Sequence, residues 1–413
     1  MKISDYIVEY LIKKGITDVF GYPGGMVTHL MESFRKYEGQ ISSHVNYHEQ
    51  AAAFASCGYA QVSGRPGVAY STSGPGATNL ITGICNAYFD SIPTIFITGQ
   101  VNTEESRTGY SVRQRGFQET DIVSMVKPVT KYAAYVENAQ NIKYHLDRAF
   151  SAATDGRMGP ALLDIPMDIF RSDIDVFDLK GIETKTIQTE PLEKYITLLQ
   201  NELDLSNYPC MIVGNGVKLS HHESEICEIA HKLGIPIVTS MIAFDVLQDD
   251  EINYGFIGAY GDRTANFIVA KSDLIISVGS RLDVRQVGGR RENFAPTARI
   301  VRFDVDAGEL DYHIRENEIS ICLDMSDTVS VLKAVRCRKD FTHWISNCNW
   351  IKNVLKDFDN SKTGKLVSKI SEYIPKDTII TTDVGQNQVW VAQSFKLKEG
   401  QKVLFSGGHG AMG

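Results

Sequence analysis

Long apolar runs and an excess of positive charge are both missing from this chain of 413 residues. No stretch of about 18 uninterrupted apolar residues is present, so the sequence predicts no transmembrane helix. Lysine and arginine total 42 against 50 aspartates and glutamates, without long runs of one sign, which argues against nucleic acid and membrane partners. Because residues 1–5 open an amphipathic helix and not a signal peptide, we expect a cytoplasmic protein.

Disulfide and metal-binding patterns are missing as well. The seven cysteines are odd in number, widely separated and without a CxxC pair, which argues against a disulfide framework and a structural zinc site. No carboxylate or thiol completes a recognisable metal set around either of the closest histidine pairs, His44/His48 and His221/His222. We therefore predict no metal site formed by this chain alone.

Strands alternate with helices along most of the sequence, and 413 residues are too many for one hydrophobic core. This alternation predicts an α/β protein of doubly wound parallel sheets, whose ligands gather at the carboxyl ends of the strands. We expect a first domain, a linker, a central Rossmann-like domain and a third domain over residues 1–170, 171–195, 196–345 and 360–413, respectively. The third has only two predicted strands, so we expect it to be cut short or vestigial.

A glycine-rich loop between a predicted strand and a helix is the first candidate binding element. In residues 73–79, Gly74 and Gly76 allow backbone to approach a ligand, next to a helix N-terminus that favours polar or anionic groups. The loop is not the dinucleotide fingerprint, because Asn79 stands where that motif needs a third glycine. By itself it indicates a ligand site and a plain turn equally well.

Glu49 begins a predicted helix directly after a strand. A carboxylate at this position interacts favourably with the helix dipole, an effect worth about 0.3–1 kcal/mol. The small residues that follow, from Ala51 to Gly58, indicate unusually close packing, which would desolvate the carboxylate and suit it for proton relay. On these residues alone the dipole interpretation is the stronger one.

Several distinctive segments follow one another in a fixed order. In the first domain they are residues 21–25, 48–50, 72–79, 117–119 and 159–166. Later in the chain they are residues 213–216, 255–261, 265–266, 280–283, 303–306, 384–390 and 406–413. Together these segments closely resemble the thiamine-diphosphate enzymes of the acetolactate synthase type, over essentially the whole chain.

The resemblance implies a pyrimidine-binding first domain, a central domain and a diphosphate-binding third domain. It implies that thiamine diphosphate lies between the first domain of one subunit and the third of its partner, in a homodimer or homotetramer with a small regulatory subunit. Glu49 matches the carboxylate that hydrogen-bonds a ring nitrogen of the aminopyrimidine. Gln118 matches a glutamine near the reacting carbonyl, although alone it would be taken for a surface amide.

Other positions match residues that touch thiamine diphosphate in this family. In the first domain they are Pro23, Gly24, Gly74, Gly76 and Asn79. In the third segment they are Gly385, Gln386, Asn387, Gly410 and Met412, the last as an apolar wedge that holds the cofactor bent. Met412 alone would be taken for ordinary gap-filling in a core.

A second set of positions matches residues that hold FAD in acetolactate synthases. They are Arg157, Gly214, Gly216, Gly261, Arg281, Asp283, Asp304 and Asp306. Many relatives keep the fold and bind ADP or nothing there. Part of the set has a structural alternative. Gly214 and Gly216 can turn a strand into a helix, and Asp304 and Asp306 can cap a strand end. FAD remains the stronger expectation.

The sequence departs from the family at Met167, Asn387 and His409, which leaves the substrate open. Three arginines before Gln118 are expected to be solvated, and would select an anionic oxo acid only if buried: Arg107, Arg113 and Arg115. The Gly-Asp-Gly motif and the later asparagine that hold Mg²⁺ in the family are absent. We therefore expect the Mg²⁺ ligands beyond residue 413, and no activity from these residues alone.

The function implied by the resemblance is thiamine-diphosphate-dependent decarboxylation of pyruvate and carboligation to a second 2-oxo acid, as in branched-chain amino acid biosynthesis. One alternative is another 2-oxo acid decarboxylase or an acetyltransferase of the same superfamily. The other is a non-catalytic homologue that lacks the metal site.

Overall fold

The computed structural model of the protein describes residues 1–183, 191–247, 250–356 and 361–412. Two compact units are present, one from residues 1–186 with 406–412 and the other from residues 187–405. Part of the predicted linker, the predicted start of the third domain and Gly413 lie outside the described residues. Within these ranges no helix combines the length and the apolar character needed to cross a bilayer.

The first unit contains a six-stranded sheet. Its strands are β1 (Asp18–Gly21), β2 (Ser42–Val45), β3 (Gly67–Ser71), β4 (Thr94–Gln100), β5 (Tyr132–Tyr135) and β6 (Pro160–Pro166). Its helices are α1 (Ile3–Lys13), α2 (Thr28–Lys36), α3 (Glu49–Ser63), α4 (Pro75–Asn79), α5 (Ile81–Phe89), α6 (Ile122–Val126), α7 (Ile142–Thr154) and α8 (Met167–Arg171). The strand order is β2-β1-β3-β4-β6-β5, and every pairing is parallel.

The second unit contains another six-stranded parallel sheet, in the order β12-β11-β10-β7-β8-β9. The strands of this unit are β7 (Pro209–Val213), β8 (Ile237–Thr239), β9 (Asn253–Phe256), β10 (Leu274–Val278), β11 (Arg299–Asp304), β12 (Ile319–Cys322), β13 (Ile379–Thr381) and β14 (Lys402–Leu404). Its helices are α9 (Glu193–Leu205), α10 (Asn215–Leu219), α11 (Glu223–Leu233), α12 (Arg263–Lys271), α13 (Val284–Val287), α14 (Ala307–Asp311), α15 (Met325–Ala334), α16 (Thr342–Leu355), α17 (Lys362–Tyr373) and α18 (Gln386–Ser394). The predicted α/β class with doubly wound parallel sheets is confirmed.

The central strands of the first sheet have no solvent-facing side. Every residue of β3, β4 and β6 is buried, because helices cover both faces of a parallel sheet. Helix α3 packs especially closely on this sheet: a Cβ atom added to Gly67 of β3 would lie 2.0 Å from Ser56 O of α3. This contact fixes the position of Glu49, the first residue of α3, beside the carboxyl ends of the strands.

Each sheet has a point where the chain starts adding strands on the other side of its first strand. In the first sheet, β2 is added on one side of β1 while β3 and β4 are added on the other. In the second sheet, β8 and β9 lie on one side of β7 while β10 and β11 lie on the other. The loops at the carboxyl ends diverge at such a point and leave a crevice, which is where open parallel sheets bind ligands.

The predicted third domain, residues 360–413, contains two strands, β13 and β14. Among the described strands they pair only with each other. Val403 of β14 donates its N–H to the Asp245 carboxylate at 2.9 Å. Lys218 Nζ donates to Asp245 at 2.6 Å and to Val403 O at 3.0 Å. Residues 406–412 belong to the first unit, and the third domain over residues 360–413 stays a prediction.

The beginning of the predicted linker, residues 171–195, has two buried apolar side chains. Ile174 and Leu179 are buried in the core of the first unit. Ile174 additionally donates its N–H to Met1 O at 2.9 Å. The first part of residues 171–195 therefore contributes to the first core, because its few apolar side chains are buried there.

A buried ion pair lies at the edge of the second sheet. The side chain of Arg302 on β11 is 1% exposed, and that of Glu318 is fully buried. Arg302 Nη1 donates to Glu318 Oε1 at 2.9 Å and to Tyr312 O at 3.0 Å, while Glu318 Oε2 accepts the Ile314 N–H at 2.9 Å. The pair thus neutralises a guanidinium that the sheet removes from water.

Replacing Glu318 by glutamine is expected to lower the free energy of unfolding by about 3–5 kcal/mol, because the buried Arg302 guanidinium loses its countercharge. Urea denaturation followed by circular dichroism measures the change. The matched control is Glu399→Gln, which removes the exposed partner of Lys376 and is expected to cost less than about 1 kcal/mol. Equal stability of the two variants would contradict the role assigned to the buried pair.

Candidate functional site

The loops that follow β1 and β3 pack together at the switch point of the first sheet. A Cβ atom added to Gly24 would lie 2.4 Å from Thr72 Cβ, so only glycine fits there without displacement. The Thr72 hydroxyl accepts a hydrogen bond from the Met26 N–H at 3.3 Å. The first loop, in which Pro23 precedes Gly24, is thereby fixed against the second.

Glu49 lies beside this contact. The residue is 8% exposed, and its Oε2 accepts a hydrogen bond from Asn79 Nδ2 at 2.9 Å. The other oxygen, Oε1, accepts no hydrogen bond from the described residues and lies 3.2 Å from where a Cβ atom of Gly76 would be. That same Cβ atom would lie 2.8 Å from Thr72 Cγ2. The structure therefore brings Gly24, Glu49, Gly76 and Asn79 together around one threonine.

The predicted close packing of the small residues of α3 is seen for only part of the set. A Cβ atom added to Gly83 of α5 would lie 2.2 Å from Ala53 Cβ of α3. Ala51 is exposed, and a Cβ atom added to Gly58 would meet nothing within 4 Å. The helix dipole acts on Glu49 as well, but it does not account for the directional hydrogen bond from Asn79.

Gln118 lies against the loop that follows β3. Its backbone is left-handed, with φ of 64°, and it is half-buried. A Cβ atom added to Gly74 would lie 2.7 Å from Gln118 O, and Gly74 itself has φ of 61°. Glycine is thus required at this position both by the backbone conformation and by the close approach.

The third-segment positions are divided between the two units. Gly385, with φ of 94°, precedes α18 in the second unit. Gln386 and Asn387 form the first turn of that helix, where Asn387 Nδ2 donates to Val384 O at 3.0 Å. Their contact with thiamine diphosphate stays a prediction.

Gly410 and Met412 lie in the loop of residues 406–412, which belongs to the first unit. Two backbone N–H groups of this loop donate to the Asp90 carboxylate, at 2.6 and 3.0 Å. Asp90 follows the end of α5, whereas Asn79 precedes its start, so the loop is anchored at the other end of α5 from the Glu49 cluster. Met412 is 82% exposed, and its role as an apolar wedge stays a prediction.

Two of the glycine positions predicted to hold FAD, Gly214 and Gly216, lie at the second switch point. A Cβ atom added to Gly214, after β7, would lie 2.1 Å from Gly279 O, after β10, and one added to Gly216 would lie 2.9 Å from Gly279 Cα. The loops after β7 and β10 therefore meet backbone to backbone. Gly261 instead follows the edge strand β9, and a Cβ atom added to it would lie 2.4 Å from Phe256 O.

The charged positions of the same set have protein partners. Arg281 Nη2 donates to Asp283 Oδ2 at 3.0 Å, while Asp283 Oδ1 caps α13. Asp304 Oδ1 accepts the Asp306 N–H at 3.0 Å, and Asp306 caps α14. These contacts agree with the structural alternative for the last two aspartates. Arg157 lies in the first unit, where its Nε donates to a serine hydroxyl at 3.0 Å.

Comparison with known proteins identifies the family. Residues 1–125 match the N-terminal TPP binding domain of thiamine pyrophosphate enzymes, and residues 196–332 match their central domain. The chain is 35% identical to the probable acetolactate synthase large subunit of Methanocaldococcus jannaschii, aligned over 100% of this chain and 72% of that protein. The chain belongs to the acetolactate synthase large-subunit family of thiamine pyrophosphate enzymes.

Two further relatives in this family show the same extent of alignment. The acetolactate synthase large subunit of Lactococcus lactis is 33% identical, over 99% of this chain and 71% of that protein. The acetolactate synthase isozyme 2 large subunit of Escherichia coli is 31% identical, over 100% of this chain and 74% of that protein. The predicted family resemblance is confirmed, and with it a thiamine-diphosphate-dependent enzyme.

Sequence reasoning gave no role to Glu119, which anchors the Gln118 segment of this acetolactate synthase homologue. Its buried carboxylate accepts the backbone N–H groups of Arg107, Arg115 and Gly116 at 2.6, 2.9 and 3.3 Å. Burial acts to raise the pKa of Glu119, but these three donors outweigh it and hold the pKa below its ordinary value. The carboxylate therefore stays charged and fixes the loop around Gln118.

The arginines of this loop agree with the expected solvated surface. Arg113 and Arg115 are exposed, and the Arg115 guanidinium lies 4.5 Å from the Tyr110 ring centroid. Arg107 Nη2 lies 3.9 Å from Asp121 Oδ2, with the Arg107 side chain 40% exposed. These arginines were expected to select an anionic substrate only if they were buried. Because they are not buried, the structure does not support that role.

Asp164 is a second residue that sequence reasoning missed. It is 2% exposed, and its carboxyl accepts hydrogen bonds from Thr98 Oγ1 at 2.6 Å and Gln100 Nε2 at 3.0 Å. Gln100 Nε2 also donates to Thr120 O at 2.9 Å, two residues beyond Gln118. Burial raises the pKa of Asp164 to about 7, and its two uncharged partners oppose this only in part. In the sequence, the signal for Asp164 was a carboxylate within a strand whose other residues are apolar.

Asp164→Asn is expected to flatten the pH dependence of stability. Because the folded-state pKa of about 7 lies above the ordinary 3.8, the unfolded chain loses this proton first as the pH rises. Stability of the wild type therefore falls between about pH 4 and pH 7, by on the order of a few kcal/mol, and the asparagine variant lacks this decline. Asparagine can replace Asp164 at this site, because the Thr98 hydroxyl can accept a hydrogen bond from the asparagine side-chain amide. Thermal unfolding across this pH range measures the effect.

Asp147→Asn is the matched control with the opposite sign. Burial acts to raise the pKa of Asp147, but hydrogen bonds from Lys143 and Tyr10, at 2.8 and 2.7 Å, hold it below its ordinary value. This variant is expected to be less stable than the wild type at pH 7, with a difference that shrinks as the pH falls through the folded pKa. If the stability of the wild type and of Asp164→Asn depended on pH in the same way, the conclusion that burial raises the pKa of Asp164 would be contradicted.

Proposed function

We propose that this protein decarboxylates pyruvate with thiamine diphosphate and joins the two-carbon unit to a second 2-oxo acid, forming an acetolactate-type product. The observation that carries the proposal is the Glu49 carboxylate, buried at the switch point and held by Asn79. Relatives named acetolactate synthase support the same activity.

The residues around Glu49 fit the pyrimidine end of thiamine diphosphate. Gly24 and Gly76 place backbone where side chains would collide with Thr72, so the loops around Glu49 pack closely against each other. Glu49 Oε1 accepts no hydrogen bond from the described residues and is available to a ring nitrogen. With Pro23, Gly74 and Asn79, these residues would hold the cofactor in the first domain. Bound thiamine diphosphate supplies the electron sink that a 2-oxo acid needs to lose carbon dioxide.

The role of Glu49 is to hold a proton at Oε1 in a site from which water is excluded. Asn79 donates to Oε2 and so fixes the plane of the carboxyl. A low local dielectric strengthens both hydrogen bonds. Gln118, whose loop is anchored by Glu119 and by the Asp164–Gln100 contact, would bind the substrate carbonyl.

The other parts of the proposal follow from the family. We propose the pyrimidine-binding role for residues 1–170, the central role for 196–345 and the diphosphate-binding role for 360–413, where Gly385, Gln386, Asn387, Gly410 and Met412 would touch the cofactor. Mg²⁺ stays a predicted second cofactor. We propose a small regulatory subunit, which the words "large subunit" in relatives' names support. The homodimer or homotetramer stays a prediction. Cytoplasmic localisation stays a prediction.

Glu49→Gln in the complete gene product is expected to lower the rate of pyruvate consumption by at least about 100-fold, because an amide cannot carry the proton. The measurement is product formation from pyruvate with added thiamine diphosphate and Mg²⁺, with acetolactate and acetaldehyde quantified separately. Acetolactate supports carboligation, whereas acetaldehyde alone would indicate a simple decarboxylase.

Glu38→Gln is the control, since Glu38 is an exposed carboxylate after α2. It is expected to leave turnover and folding unchanged. Turnover of Glu49→Gln within a few-fold of this control would return Glu49 to a helix-dipole role. No pyruvate consumption by the wild type, with cofactor bound, would favour the non-catalytic homologue.

We further propose FAD as the ligand of the central domain, where the Gly214, Gly216 and Gly279 backbones meet at the second switch point. Gly261, Arg281, Asp283, Asp304 and Asp306 would line the same site, and Arg157 would add a charge-assisted contact. ADP or an empty site is the alternative, and the capping bonds of the aspartates favour it. The flavin is not expected to react.

Purified protein is expected to be yellow, and Arg157→Ala is expected to bind FAD at least about 10-fold more weakly, since a charge-assisted contact contributes about 1.5–3 kcal/mol. Flavin fluorescence on titration measures the affinity. The control is Arg35→Ala, which removes an exposed arginine of α2. A colourless protein that takes up no FAD would establish the alternative.

A further inference from the structure

A thiol, an imidazole and a carboxylate converge on α11 in the second unit. Cys227 and His231 are four residues apart on this helix, so their side chains share one face. Asp250 approaches the same face from the segment before β9. Asp250 Oδ2 lies 2.9 Å from Cys227 Sγ and 2.9 Å from His231 Nε2, and the three ligand atoms all lie within 4.8 Å of one another.

The three groups are already assembled without a cation. Asp250 Oδ2 accepts hydrogen bonds from the Cys227 thiol and from the His231 ring, and Oδ1 accepts the Ile252 N–H at 3.0 Å. The Ile252 N–H therefore fixes the Asp250 carboxylate from the side away from the thiol and the imidazole.

The spacing suits a tetrahedral metal. Bonds of about 2.0 Å to nitrogen and oxygen and about 2.3 Å to sulfur put neighbouring ligand atoms roughly 3.3–3.6 Å apart. The observed separations of 2.9 Å need only small side-chain rotations to reach that spacing. The His231 side chain is 41% exposed, so a metal has access from solvent and keeps a fourth position for water.

The donor types define the class of metal. A thiolate with an imidazole suits zinc and its neighbours, whereas Mg²⁺ and Ca²⁺ prefer oxygen ligands throughout. Glu228 adds a nearby negative charge that acts on Cys227. Asp250 precedes β9, at the amino ends of the parallel strands. Gly214, Gly261 and Gly279 of the proposed FAD site follow the carboxyl ends of β7, β9 and β10, so the two sites are separate.

We propose that Cys227, His231 and Asp250 bind a divalent cation of the zinc class. The metal forms bonds to Cys227 Sγ, His231 Nε2 and one Asp250 oxygen, and the thiol proton is released to solvent. The bound ion ties α11 to the segment that precedes β9. It has no part in the decarboxylation chemistry, so the site is independent of the proposed function.

The test is titration of Co²⁺ into the complete, untagged, metal-free protein. Binding through sulfur and a four-coordinate geometry is expected to give a sulfur-to-cobalt charge-transfer band and intense visible bands. Cys227→Ser is expected to abolish the charge-transfer band, and His231→Gln to weaken cobalt binding at least about 10-fold. Cys322→Ser and His343→Gln remove an exposed cysteine and an exposed histidine of the same unit and are expected to leave the spectrum unchanged.

A second measurement does not depend on variants. Added Zn²⁺ is expected to slow alkylation of Cys227 in the wild type, but not of Cys322, as read by mass spectrometry of the digested protein. The proposal fails if about 100 μM cobalt produces no charge-transfer band, a concentration far above the dissociation constants of structural zinc sites. It fails equally if Cys227→Ser keeps the band, or if zinc leaves the alkylation rate of Cys227 unchanged.

Discussion

The parallel pairing of β1 with β3 is the constraint on which the first unit's site depends. The chain adds β2 on one side of this pair and β4 on the other, so the loops at the two carboxyl ends diverge and leave a crevice. Thr72 lies in that crevice, in contact with the positions of Gly24 and Gly76. Helix α3 packs on β3 through Gly67, and this places the first helical residue, Glu49, beside the same loops.

Close approach of backbone to backbone recurs in both units. In the first, Gly67 allows β3 to approach the backbone of α3 at Ser56. In the second, Gly214 and Gly279 do the same for the loops after β7 and β10. Glycine costs conformational entropy on folding, so its use at these contacts weakens the fold locally. In return, helices and loops pack more closely than larger side chains would allow.

Buried charge is handled in three different ways. Arg302 is neutralised by an ion pair with Glu318, Glu119 accepts three backbone N–H groups, and Asp164 favours its protonated form. Glu119 directly follows Gln118 and holds the loop together. Asp164 lies on β6 and is bonded to Gln100 of β4, which also donates to Thr120 O and so connects the segment to the sheet. A loop held by buried polar contacts keeps one geometry, because breaking any of them leaves an unpaired group away from water. A substrate-binding side chain benefits from that rigidity.

The sequence by itself determined the α/β class, the start of α3 at Glu49, the strand β3 and the family, because apolar runs bounded by glycines and ordered motifs are local signals. It did not determine the contact of Gln118 with Gly74, the raised pKa of Asp164 or the approach of Asp250 to Cys227. The hydrogen bond of Asp164 with Gln100 joins residues 64 positions apart, and that of Asp250 with Cys227 joins residues 23 positions apart. Only the tertiary structure decided them, since strand order and helix packing select which distant loops meet, and burial then sets the charge that a side chain can carry.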